Sequence, residues 1–191
     1  MAAGLVVFFV LIFSILAYGI FVYNQLVSLK HNVGLAWSNI DVLLKQRHDE
    51  LPKLVETCRQ YMKFEQDTLE KVMQARTQVA SARDSRDMAA LGQAETGLRA
   101  SVGKLFALAE AYPELKTSEQ FQHLQARIST LESAITDRRE FYNDSVNINN
   151  VRIEQFPDSL VAGLGGFQPS QLLRFEPRET ADVNLGALFK G

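Results

Sequence analysis

The sequence predicts an all-α protein: an N-terminal transmembrane helix that continues into a long-helix up-and-down bundle, followed by an irregular, Gly/Pro-containing apolar tail. Three observations carry this. The first 29 residues hold no charged side chain. Beyond them, apolar residues recur in steps of three and four over long stretches. Past Pro157 the composition turns rich in Gly and Pro while staying apolar. The corresponding division is 1–29 as anchor, 30–156 as helical bundle and 157–191 as tail.

The run from Ala2 to Val22 is almost wholly apolar, and Leu5 to Phe13 is unbroken. At ~1.5 Å rise per residue it can span a bilayer core of ~30 Å. A cleaved signal peptide would carry a basic n-region, a shorter apolar core and a small-residue cleavage site. Met1-Ala2-Ala3-Gly4 offers no Lys or Arg, and Tyr18-Gly19-Ile20 prolongs the apolar stretch. A retained anchor is therefore expected. Tyr18 and Tyr23 suit the headgroup level. Lys30, Lys45, Arg47, Lys53 and Arg59 all follow the span. The positive-inside bias then puts the short N-terminus outside and the body in the cytoplasm.

Val33, Trp37, Ile40, Leu44, Leu51, Leu54, Cys58, Tyr61, Leu69, Val72 and Val79 form one seam, with Arg47, Glu65 and Arg76 as polar interruptions. This is the spacing of a helix face, not of a strand. No Gly lies between Gly34 and Gly92. Pro52 removes a helical hydrogen bond and crowds the preceding turn. Because the seam keeps its phase across it, one long kinked helix continuous with the span is expected, giving three helices. A split at His48-Asp49-Glu50 would give four.

The first expected break is Ser81–Asp87, where Asp84, Ser85 or Asp87 can cap the next helix. Met88, Leu91, Leu98, Val102, Leu105 and Ala109 make its buried stripe, and Gly92, Gly97 and Gly103 would permit close backbone approach. Tyr112-Pro113 ends it. Thr117 and Gln120 match a capping box. Phe121, Leu124, Ile128, Leu131, Ile135, Tyr142 and Val146 then mark a third helix reaching Glu154. Its Glu132, Arg139 and Glu140 read as a solvated face.

In the tail, Gly163, Gly165, Gly166, Pro169 and Pro177 oppose regular helix over most of its length. Leu160, Val161, Leu164, Phe167, Leu172, Leu173, Phe175, Leu185, Leu188 and Phe189 keep it too apolar for plain disorder. A neighbouring subunit is one surface that could order it.

The chain has 191 residues and a net charge of −2, which fits one body plus an anchor and offers no nucleic-acid surface. Its one cysteine, Cys58, lies on the seam and is expected to be packed, not reactive. His31, His48 and His123 lack metal-ligand spacing. No nucleophile elbow, phosphate loop or dinucleotide fingerprint occurs, and Gly163-Leu164-Gly165-Gly166 lacks the Lys and Ser/Thr of a phosphate loop. No catalytic, cofactor-binding or metal residue is assigned, and no cofactor is expected. Asn143, Asn147 and Asn150, with Asn149 beside them, follow i, i+4, i+7 spacing. They suit either a polar layer facing a partner or a frayed helix end.

Tyr23-Asn24-Gln25-Leu26-Val27, Ala36-Trp37-Ser38-Asn39-Ile40-Asp41-Val42 and Leu51-Pro52-Lys53-Leu54-Val55-Glu56-Thr57 resemble the bacterial LemA family. So do Ala111-Tyr112-Pro113-Glu114-Leu115-Lys116, Phe121-Gln122-His123-Leu124-Gln125, Arg139 to Asn147 and Phe156-Pro157. The resemblance covers nearly the whole chain in order. It implies a membrane-anchored helical bundle in the bacterial envelope, with the N-terminus outside and the body in the cytoplasm. It implies no activity and brings no catalytic residues. The function expected is a structural or scaffolding protein, single-pass in the bacterial cytoplasmic membrane, that self-associates into a homo-oligomer without catalysis. An adaptor presenting its bundle to another membrane protein, such as a protease or transporter, is the alternative. An enzyme with an unrecognised site is the third.

Overall fold

A computed structural model describes residues 2–174. Among them lie six helices: α1 (Ala2–Tyr61), α2 (Gln66–Ser85), α3 (Met88–Ala109), α4 (Pro113–Lys116), α5 (Glu119–Glu154) and α6 (Asp158–Gly165). The all-α class and the bundle-like packing follow expectation. α1 runs unbroken through Pro52. It is long and apolar enough to cross a membrane. Its apolar run faces outward, with Phe9 at 65% and Phe13 at 73% exposure.

The first break lies elsewhere than expected. α1 stops at Tyr61, and residues 62–65 turn the chain into α2. The seam read as one helix to Val79 is therefore two helices, and the number of long helices is four (α1, α2, α3 and α5) without a split at Pro52. The turn holds neither Gly nor Pro. Met62 is fully buried, and its amide still donates to the Cys58 carbonyl at 2.8 Å. The Glu65 carbonyl then accepts from Thr68 and Leu69 at 3.1 and 3.2 Å, starting α2. Glu65, an interruption of the seam, is the N-cap residue.

α2 and α3 pack on each other across a tight turn. Arg86 takes the left-handed conformation there, with φ 54°. Asp87 is the cap, its carboxylate accepting from the Ala89 and Ala90 amides at 3.0 and 2.9 Å. Every residue assigned to the α3 and α5 stripes is buried. Gly97 and Gly103 do not serve close approach, since an added Cβ would meet nothing within 4 Å. The capping box at Thr117 does not form either. Thr117 closes α4, its hydroxyl donating to the Pro113 carbonyl at 3.1 Å, and Ser118 accepts from the Phe121 amide at 3.5 Å.

Two compact units divide the chain. Among the described residues the first is 2–42 with Ala134–Leu172, and the second is Leu43–Ser133 with Leu173 and Arg174. In the first, the N-terminal part of α1 pairs antiparallel with the C-terminal part of α5. Arg152 donates to Gln25 at 2.8 Å, and the Trp37 and Tyr142 rings meet edge-to-face at 6.0 Å. The tail residues 158–165, expected to be irregular, form α6 on this pair. Val22, Leu26 and Ala162 make its core, with Ile153, Val161 and Phe167 packed against them. The expected roles of Phe175, Pro177, Leu185, Leu188 and Phe189 lie outside the described residues.

Candidate functional site

The second unit buries charge at its centre. Arg47 on α1 is 1% exposed, and Glu95 on α3 is 1% exposed. Arg47 Nη2 donates to Glu95 Oε1 at 2.5 Å. Glu132 on α5 approaches Arg47 Nη1 at 3.8 Å. Glu132 thus does not belong to the solvated face assigned to it, whereas Glu140 is exposed as expected. Burial pushes the Glu132 carboxyl above the ordinary glutamate range and Glu95 pushes the same way, while Arg47 and Arg99 pull it down.

Helical period explains why these three groups converge. Arg47 lies between Leu44 and Leu51 on the buried face of α1, Glu95 between Leu91 and Leu98 on that of α3, and Glu132 next to Leu131 on α5. Treating Arg47 as an interruption missed its partner. A charged residue in phase with each of two apolar stripes was the available signal.

Arg76, the third interruption of the seam, has a different task. Pro52 has no N–H, so the His48 carbonyl one turn earlier loses its helical donor. Arg76 Nε supplies one at 2.8 Å. A helix with an interior proline thereby keeps that half-buried acceptor satisfied. Burial, with Arg76 next, lowers the pKa of His48.

Cys58 is fully buried and its thiol is pushed up to about 12, as its place on the seam requires. His31, His48 and His123 are not brought together with other ligands: among the described residues no group of three His, Cys, Asp or Glu could hold a metal ion. The asparagine stripe divides. Asn147 is exposed, while Asn149 is buried. Asn150 clamps the chain's own tail, donating to the Ser170 carbonyl and accepting from the Ser170 amide, both at 2.8 Å. Tyr142 Oη adds a bond to the Gln171 carbonyl at 2.9 Å. Residues 158–172 are thus held by helices of the same chain.

In the first unit α6 forms one wall of an apolar groove of about 500 Å³, and Ile15, Leu16, Gly19 and Ile20 of α1 form the other. Tyr23 and Phe167 meet edge-to-face at 5.6 Å at its end. A Cβ on Gly165 would stand 2.7 Å from the Phe167 ring, so a larger residue there would have to displace that ring.

Fold and site define an all-α bundle protein with one N-terminal helix able to cross a membrane and a buried ion-pair core. The LemA family model matches residues 36–185, and the chain belongs to the LemA family. It is 22% identical to magnetosome protein MamQ 2 of Paramagnetospirillum magneticum, over 88% of this chain and 70% of that protein. It is 27% identical to protein LemA of Metamycoplasma hominis, over 91% of this chain and 84% of that protein. With the MamQ of Magnetospirillum gryphiswaldense it shares 26% identity over 53% of this chain and 37% of that protein. None of these names specifies an enzymatic activity.

Proposed function

We propose that this chain is a membrane-anchored structural protein that self-associates at the bacterial cytoplasmic membrane and carries out no catalysis. One observation carries the reading. Exposed apolar side chains recur at heptad spacing on the two long helices of the first unit: Leu35 and Val42 on α1, Phe141 and Ile148 on α5. Val151 follows Ile148 by a further three-residue step. All five are more than half exposed. Heptad-spaced apolar residues are what a helix offers to another helix, and uncovered positions of this kind favour association. The antiparallel pairing marked by Gln25–Arg152 and Trp37–Tyr142 brings Leu35 and Phe141 to similar levels. Anchoring by α1 supports the reading further, since confinement to a surface raises the effective concentration of copies.

The test is the mass of the full-length protein in mild detergent, corrected for bound detergent. The expected result is a defined homo-oligomer that the Leu35→Glu, Phe141→Glu double variant converts to monomer. A wild-type chain that remains monomeric ends the proposal.

A further inference from the structure

We infer that α6 and the turn after it form a second membrane contact: the segment dips into the leaflet next to the body and presents Leu160 and Leu164 to lipid acyl chains. The inference rests on the anchoring of α1 proposed above.

Its first support is exposure. On α6 Leu164 is 92% exposed and Leu160 61%, and Phe156, in the turn leading into the helix, is 78% exposed, three uncovered large apolar side chains within nine residues. The second is position. Leu164 and Gly165 share a groove with Ile15, Leu16, Gly19 and Ile20, residues well inside the uncharged run of α1. If Val22 marks the edge of the hydrocarbon core, Gly19 and Ile15 lie about 4.5 and 10.5 Å inside it at ~1.5 Å per residue. That depth matches the ~5–10 Å to which interfacial amphipathic helices bury their apolar faces.

The third support is polarity. No charged residue occurs from Ser159 to Leu173. The charge that opens α6, Asp158, is buried and paired with Arg152, which also donates to Gln25. This polar latch ties the base of the segment to α1 on the side of Val22 nearer Lys30, the first charged residue of the chain.

The fourth is backbone satisfaction, which hydrocarbon demands. At the start of α6 the Ser159 amide donates to Gln155 at 2.9 Å and the Leu160 amide to Pro157 at 3.1 Å. At its end Gly166, with φ 66°, lets the Phe167 amide return to the Ala162 carbonyl at 3.0 Å. With the Gly166 amide on the Gly163 carbonyl, two amides at the start of the helix and two carbonyls at its end are thus satisfied within the chain and not by water. A second copy of the chain is the competing occupant of this face. It is less favoured because the groove is continuous with the lipid-facing surface of α1, where acyl chains are already the solvent.

The experiment places an environment-sensitive fluorophore at Leu164→Cys in the full-length Cys58→Ala protein, reconstituted in vesicles containing lipids brominated along their chains. A second sample carries the probe at Leu11→Cys, within the span of α1. The expected result is blue-shifted emission at both sites, with lipid quenching at Leu164 within about twofold of that at Leu11. A water-exposed, unquenched probe at Leu164 beside a quenched one at Leu11 overturns the inference and leaves the anchor standing. Water exposure at both sites overturns the anchor as well. A dry Leu164 probe that bromolipid does not quench, and that cross-links between copies, assigns the face to a second chain and overturns the lipid contact.

Discussion

Burying Arg47 forfeits several kcal/mol of hydration, and the carboxylates of Glu95 and Glu132 offset that loss only while all three helices hold them together. Removing one partner strands the other. Arg47→Ala is expected to destabilise the body by about 3–5 kcal/mol, whereas Arg47→Met with Glu95→Leu should lie near the wild type. Chemical denaturation in detergent, followed by circular dichroism, measures both. Glu132 adds a pH signature. Its pKa is raised in the folded state, with burial the main cause, so the folded chain binds more protons than the unfolded chain between the ordinary glutamate range and the raised value. Stability therefore falls as pH rises through that window, and Glu132→Gln should flatten the slope. The bond from Arg76 to the His48 carbonyl makes a third expectation at this scale. Arg76→Met should cost about 0.5–1.5 kcal/mol by removing the donor to a half-buried acceptor, and less when Pro52→Ala restores the helical donor. Equal costs in the two backgrounds would separate Arg76 from the proline.

At the scale of elements, the three polar residues that interrupt the first seam mark three structural events. Arg47 is the ion-pair centre, Glu65 the cap of α2 and Arg76 the donor that compensates Pro52. The α1–α2 turn escaped the sequence because it has no Gly or Pro and because α2 resumes the apolar stripe in the same phase. α6 escaped for the opposite reason. Its Gly163, Gly165 and Gly166 read as breakers, yet only Gly166 adopts a positive φ and ends the helix. The clamp between Asn150 and Ser170 holds the segment after α6. Asn150→Ala should cost about 1–3 kcal/mol through the two lost bonds. It should also speed proteolysis after Phe167 without shifting the midpoint for α2 and α3; limited proteolysis with mass spectrometry reads this.

For the whole molecule, the distribution of Lys and Arg sets the expected orientation. All of them lie after the apolar run of α1. Protease added outside right-side-out vesicles should leave the body intact, and the same protease should digest it in inverted vesicles. Digestion from outside would reverse the orientation. The large length of α1 and α5, which contribute to both compact units, is also a molecular-scale property. Each unit takes part of its core from each of these two helices, so neither is made from a continuous stretch of sequence.

The sequence by itself determined the all-α class, the apolar leading helix, the buried stripes of α3 and α5 and the packed state of Cys58. Each follows from local chemistry, since an uncharged run and a three-and-four spacing act through neighbours on one helix. Only the tertiary structure decided where the first turn falls, that Arg47, Glu95 and Glu132 share one interior, that Arg76 serves Pro52 and that α6 lies along α1. Those facts depend on residues far apart in the chain meeting in space, and no periodicity within a single segment encodes such a meeting.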